Sequence, residues 1–153
     1  MHDTPTTQGT LVLPNEVFFL EVKEILSSGK DVLFTINGNS MRPFMSHGDR
    51  VLICPVEVSK LKLGQVVLAN SQFGYVLHRL VWKTKSSLWL AGDNNLLQIE
   101  KVKHADVLGY GKYILAGEKK IIINSTSQTS LGLLWFLLRP LRLVVFKFRK
   151  FIK

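Results

Sequence analysis

Asp31-Val32-Leu33-Phe34-Thr35-Ile36 leads into Asn37-Gly38-Asn39-Ser40-Met41-Arg42-Pro43-Phe44-Met45, and His47-Gly48-Asp49 then leads into Arg50-Val51-Leu52-Ile53-Cys54-Pro55. The flanks are rich in β-branched and aliphatic residues and the middle in Asn, Gly, Ser and Pro, which reads as strand, turn and strand. Further short apolar or alternating runs follow at Gln65–Ala69, Tyr75–Lys83, Ser87–Ala91, Asp106–Leu115 and Lys120–Asn124. Gly, Asn, Ser or Pro punctuates most of the joints. Seven such runs predict a mainly β body over residues 31–124, as a barrel or as packed sheets.

Helical signals are confined to the two ends. Residues 16–26 carry a short amphipathic pattern, with Asn15 placed as N-cap and Gly29 as the stop, so a helix is expected over residues 15–28. Residues 1–14 read as a polar N-terminal segment, residues 15–124 as the folded domain, and Ser125–Ser130 (STSQTS) as a hinge into a tail over residues 125–153.

The chain has 153 residues, 46% of them hydrophobic and 20% charged, which suits one globular domain and excludes a disordered chain. Cys54 is the single cysteine, so no internal disulfide is available, and the histidines lack metal-ligand spacing. No metal and no cofactor is expected. His47 and Asp49 flank a glycine turn and read as structural, His104 as solvated, and Cys54 as a small buried apolar residue.

The net charge of +9 is unevenly spread. All 11 acidic residues and 12 of the basic ones lie at or before Glu118, a net of +1, whereas the eight basic residues from Lys119 to Lys153 have no acid among them. A nearly neutral body with a basic, greasy tail differs from a nucleic-acid-binding domain, whose positive residues spread over one face. No nucleic-acid partner is expected. From Leu141 onward, about 100° per residue places Leu141, Val144, Val145, Phe148, Phe151 and Ile152 on one arc. Arg142, Arg149, Lys150 and Lys153 fall opposite. This pattern predicts an interfacial helix drawn to anionic lipid through residues 131–153, against the alternative of a helix packed on its own body or on a partner protein.

The N-terminus is polar and carries Asp3, so no secretory signal is expected. The best apolar run, Leu131–Leu138, is stopped by Arg139 and Pro140, too short to span a bilayer. Peripheral membrane association, with the cytoplasmic face favoured, is the localisation these features predict.

Ser40 sits just after a strand, with Gly38 two residues before it and Pro43 three after it. Such a sharp turn can expose the hydroxyl and leave the serine N–H free, as an activated nucleophile with an oxyanion donor requires; an ordinary loop serine is the alternative.

The G-x-S-M-x-P pattern, with Gly48-Asp49 a few residues later, resembles the nucleophile box of type I signal peptidases and LexA-like self-cleaving repressors. A second box, Tyr75-Val76-Leu77-His78-Arg79-Leu80-Val81, resembles the strand that carries the general base in that family. The base there is lysine in most bacterial enzymes and histidine in the endoplasmic-reticulum and archaeal type; this chain has His78. A third, Leu90-Ala91-Gly92-Asp93-Asn94-Asn95, resembles the family's G-D-N segment. The resemblance covers about residues 31–115 and implies a signal-peptidase/LexA-like β fold and a serine endopeptidase over residues 15–124.

Under that reading Ser40 is the nucleophile, His78 the base and Asp93 the orienting acid, with Glu100 as the other carboxylate able to fill that place. An imidazole, with an ordinary pKa of about 6.5, can take the serine proton at neutral pH without the deep burial a lysine base requires. Gly38, Asn39, Met41 and Pro43 would shape the site, and Arg79 and Asn94 would stand beside it. Residue 39 is Asn, so no hydroxyl precedes Ser40 to serve an oxyanion, which leaves the Ser40 N–H. The substrate implied is an extended peptide or preprotein, a signal or leader sequence with small residues near the cut, added beside the catalytic strands. The alternatives are a LexA-like self-cleaving regulator and a catalytically silent membrane-surface module.

Overall fold

A computed structural model describes residues 15–152; the expected polar segment 1–14 and Lys153 lie outside them. Helix α1 (Asn15–Ser27) opens the fold and is followed by eight strands among the described residues. These are β1 (Val32–Thr35), β2 (Arg50–Cys54), β3 (Val66–Ser71), β4 (Gly74–Lys83), β5 (Ser87–Ala91), β6 (Glu100–Lys103), β7 (Val107–Ala116) and β8 (Lys119–Ile122). Helices α2 (Thr126–Leu137) and α3 (Arg139–Phe151) close the described chain. The mainly β class expected from the sequence holds.

Every strand pairing is antiparallel, in the order β1-β2-β7-β3-β4-β5-β6, with β8 added to β7. Register shifts at Leu52/Ile53, Leu68/Ala69 and Leu80/Trp82 are β-bulges, which bend strands and curl the sheet. Strand β7 lies between β2 and β3, so backbone pairing joins the first hairpin to the β3–β4 hairpin through it.

The core is in two parts. Val66 and Leu68 belong to one cluster, with Val22 and Leu26 of α1, Met41, Met45, Val51, Ile53 and Ile114. Val67 and Ala69 belong to the other, with Leu80, Leu88, Leu90 and Val102. Strand β3 is thus buried on both faces, which is why it reads as an unbroken apolar run rather than an alternation. Burying Val22 and Leu26 anchors α1, at about 1.5–3 kcal/mol for each side chain. Cys54 is buried as expected, and burial pushes its thiol up to about 11.

Three expectations need correction. Strand β6 was not among the seven runs, because its buried positions are Glu100 and Val102; a carboxylate facing inward removes the apolar period. The hinge at residues 125–130 is the start of α2: the Ser125 side chain accepts from the Gln128 N–H as N-cap. The tail is two helices rather than one, and it touches the body.

That contact is made by small and polar groups. Gly132 of α2 lies directly against the Arg79 guanidinium, and a Cβ on Gly132 would fall inside van der Waals contact of it. Gly64 packs as closely on Thr129, where an added Cβ would lie 2.6 Å from the Thr129 carbonyl oxygen. Replacing Gly132 with Ala should push α2 off Arg79 and lower stability by about 1–3 kcal/mol, read as a lower midpoint in denaturant melts. An unchanged midpoint would show that α2 does not rest on this contact.

Candidate active site

The turn after β1 is held from both sides. The Gly48 N–H donates to the Ile36 carbonyl and the Ile36 N–H to the Asp49 carbonyl, which closes the loop at its base. Within it, the Phe44 and Met45 N–H groups both donate to the Met41 carbonyl, and the Asp49 carboxylate accepts from the Ser46 N–H. Gly38 has φ of +107°, a conformation that side chains oppose, and its N–H donates to His47 Nδ1. His47 therefore pins the turn, in the structural role expected of it. Met41 and Met45 are buried in the core beneath, Pro43 follows a cis bond, and Asn39 and Ser40 face solvent.

His78 comes from β4 and is 6% exposed. Its Nε2 lies 3.1 Å from Ser40 Oγ, a hydrogen bond across 38 residues of sequence. Its Nδ1 lies 2.9 Å from Glu100 Oε2, and Glu100 is 2% exposed. The other oxygen of Glu100 accepts from Gln98 Nε2 at 3.0 Å. Ser40, His78 and Glu100 form one line from hydroxyl to imidazole to carboxylate.

Asp93 is elsewhere, and its expected place beside His78 is corrected. Arg79 Nε and Nη2 donate to Asp93 Oδ1 and Oδ2 at 2.7 and 2.6 Å, a two-pronged ion pair with both side chains almost fully buried. The neighbouring guanidinium captures the carboxylate because its planar fork matches both oxygens at once. Burial pushes the Asp93 carboxyl up from its ordinary value, and the Arg79 guanidinium pulls it back. Arg79 also donates to the Gly64 carbonyl through Nη1 at 2.7 Å.

Around this pair the G-D-N turn is fixed against Ser40. The Asn94 N–H donates to the Ser40 carbonyl at 2.8 Å, so Asn94 acts through its backbone while its side chain faces solvent. Gly92 passes so close that a Cβ there would lie 2.8 Å from the Ser40 carbonyl oxygen and 3.1 Å from His78 Nε2. On its outer side the Asp93 carbonyl accepts from Trp135 Nε1 and Arg142 Nη2, both at 2.8 Å. Arg139 Nη2 donates to the Gln98 carbonyl at 3.0 Å. The Arg142 guanidinium lies 4.0 Å over the Trp135 ring and that of Arg79 4.8 Å from the Phe44 ring. Sequence reading did not find Trp135, Arg139, Arg142 or Gln98 as neighbours of the site, since they lie outside the three boxes. For Glu100 a signal existed: it is the one carboxylate in the stretch after G-D-N.

Beside Ser40 and His78 opens a cleft of about 300 Å³, walled by Phe18 and Phe19 of α1, Phe34 to Ile36 at the end of β1, and Tyr75 to Leu77 of β4. The arrangement has the parts of acyl transfer: a hydroxyl bonded to an imidazole, a carboxylate behind it and a cleft in front. Among the described residues, no group of His, Cys, Asp and Glu comes together to hold a metal ion.

A family model described as Peptidase S24-like matches residues 2–114. The chain belongs to the Peptidase S24-like family. This places it in the superfamily that LexA-like proteins share with signal peptidases, and in a family generally of serine peptidases. No curated protein and no solved structure matches the chain. The S24 match ends at residue 114, before β8 and the two C-terminal helices.

The two carboxylates should separate on substitution. Glu100→Gln should leave the melting temperature nearly unchanged and cut labelling of Ser40 by a serine-directed phosphonate roughly 10²- to 10⁴-fold. Asp93→Asn strips a buried guanidinium of its partner and should cost about 3–5 kcal/mol, a fall of roughly 10 °C in melting temperature. The reverse assignment of effects would give Asp93 the orienting role.

Proposed function

We propose that this S24-like protein is a serine endopeptidase of the signal-peptidase type, acting on an extended signal or leader peptide. The observation that carries the reading is the continuous hydrogen-bonded line from Ser40 Oγ through His78 to Glu100. Ser40 Oγ attacks the scissile carbonyl as His78 Nε2 takes its proton. Glu100 holds the ring through Nδ1 and stabilises the imidazolium as it forms. The Ser40 N–H faces the developing oxyanion. His78 then gives its proton to the leaving amine, and water, activated by the same nitrogen, releases the acyl group from Ser40. A histidine base in this place is what the endoplasmic-reticulum and archaeal type of signal peptidase uses.

An extended substrate suits the cleft. Strand β1 is an end strand of the sheet, so one of its edges is unpaired among the described residues. Strand β5 pairs with β4 only from Arg79 onward, which leaves Tyr75 to His78 with a free edge on that side among the described residues. A peptide strand between these two edges would hydrogen-bond to both and set its alternate side chains among Phe18, Phe34 and Tyr75.

Membership in the S24-like family also supports a second reading, cleavage of the protein's own chain. Incubation of the purified protein alone separates the two: self-cleavage gives a shorter fragment that Ser40→Ala does not.

Wild-type protein should label with a serine-directed phosphonate and cleave a leader peptide at neutral pH. Ser40→Ala or His78→Ala should each lower turnover by roughly 10⁴-fold or more. Activity should fall on acidification, because a protonated His78 cannot accept the Ser40 proton. Labelling that survives both substitutions, or a rate that climbs toward acid, would overturn the assignment.

A further inference from the structure

The C-terminal helices are inside out for a helix pair resting on a protein. Where they touch the body they do so through Thr129, Gly132, Trp135, Arg139 and Arg142. The apolar stripe faces the other way. Leu134, Leu137, Leu141, Val144, Phe148 and Phe151 are between 49% and 90% exposed and follow one another at three- and four-residue steps across the joint between α2 and α3. Arg142, about a quarter-turn round the helix from Leu141, points back to the Asp93 carbonyl. The alternative of an apolar arc buried on its own body is therefore not met.

We propose that this stripe seats the protein on an anionic membrane surface, with α2 and α3 lying in the headgroup layer. Charge selects this occupant. Lys147 borders the stripe, and Arg149 and Lys150 lie further round the helix, all three exposed, and no acidic residue follows Glu118. Aliphatic stems reaching past the apolar arc to phosphate headgroups are the arrangement of an interfacial helix. A second copy of the chain fits poorly, because two-fold packing of the stripe on itself would set these like charges side by side. Neither helix is long and apolar enough to cross a membrane.

Through Trp135 and Arg142 both helices grip the loop that presses on Ser40 and His78. The cleft therefore holds one fixed attitude to the bilayer. Seating does not depend on the peptidase reading, since it is measured without substrate.

The test is co-sedimentation of the full chain with phosphatidylcholine vesicles, with or without phosphatidylglycerol. Wild type should bind the phosphatidylglycerol vesicles at least about tenfold more tightly and lose most of that advantage at high salt. The double variant Val144→Asp with Phe148→Asp should lose binding while keeping its melting temperature and its labelling at Ser40, since both side chains face away from the body. Lys147→Glu with Lys150→Glu leaves the stripe intact and should remove the preference for phosphatidylglycerol. No binding by wild type, equal binding to both vesicles, or a lipid-free dimer that the aspartate variant dissociates would overturn the proposal.

Discussion

The pairing of Arg79 with Asp93 is the constraint on which the site rests. Two charges taken almost wholly out of water are tolerated only if every donor finds an acceptor, and here the guanidinium spans both carboxylate oxygens and the Gly64 carbonyl. That one side chain joins β4, the turn before β3 and the loop after β5, and the bare face of Gly132 brings α2 down on it. Arg79 follows His78 in sequence and Asp93 follows Gly92, so anchoring the pair also places the imidazole and the glycine beside it against Ser40. The ion pair adds little net stability of its own; its contribution is position.

Two buried carboxylates within one site do different work because their neighbours differ. Asp93 meets a permanent cation and is locked. Glu100 meets an imidazole that, on the proposed mechanism, gains the Ser40 proton, so the charge of the carboxylate is matched only at that stage. A carboxylate facing a changing charge can favour one stage of a reaction; one facing a fixed charge cannot. Gln98, tied to Glu100 by its amide and to Arg139 by its carbonyl, keeps the free oxygen of Glu100 from turning away.

How much was legible in the sequence follows from the range of each signal. The seven runs became strands because strand periodicity is local, and Ser40 and His78 were visible because each stands in a compact box. Glu100 and Asp93 were both visible, but which one reached His78 was not: that depends on where the chain after β5 returns, a matter of side chains meeting across strands. Strand β6 was hidden by the residue that makes it matter, since a buried glutamate looks like loop. Ser125 was read as the start of a linker because N-caps and loops use the same residues. The tail's pattern was read correctly as amphipathic, yet Arg142, assigned by periodicity to the face away from the apolar arc, turned out to hold the body rather than stand in solvent.

The place of β7 between β2 and β3 sets an order of events in the life of the molecule. The loop that bears Ser40 belongs to the hairpin on one side of it and His78 to the hairpin on the other, and neither hairpin pairs with the other directly. A chain emerging from the ribosome at about 5–20 residues per second has both groups out long before it has the strand that unites them. Residues 107–116 are the strand that hydrogen-bonds the unit bearing the hydroxyl to the unit bearing the imidazole. On the peptidase reading, a chain without β7 has no sheet to hold the imidazole against the hydroxyl.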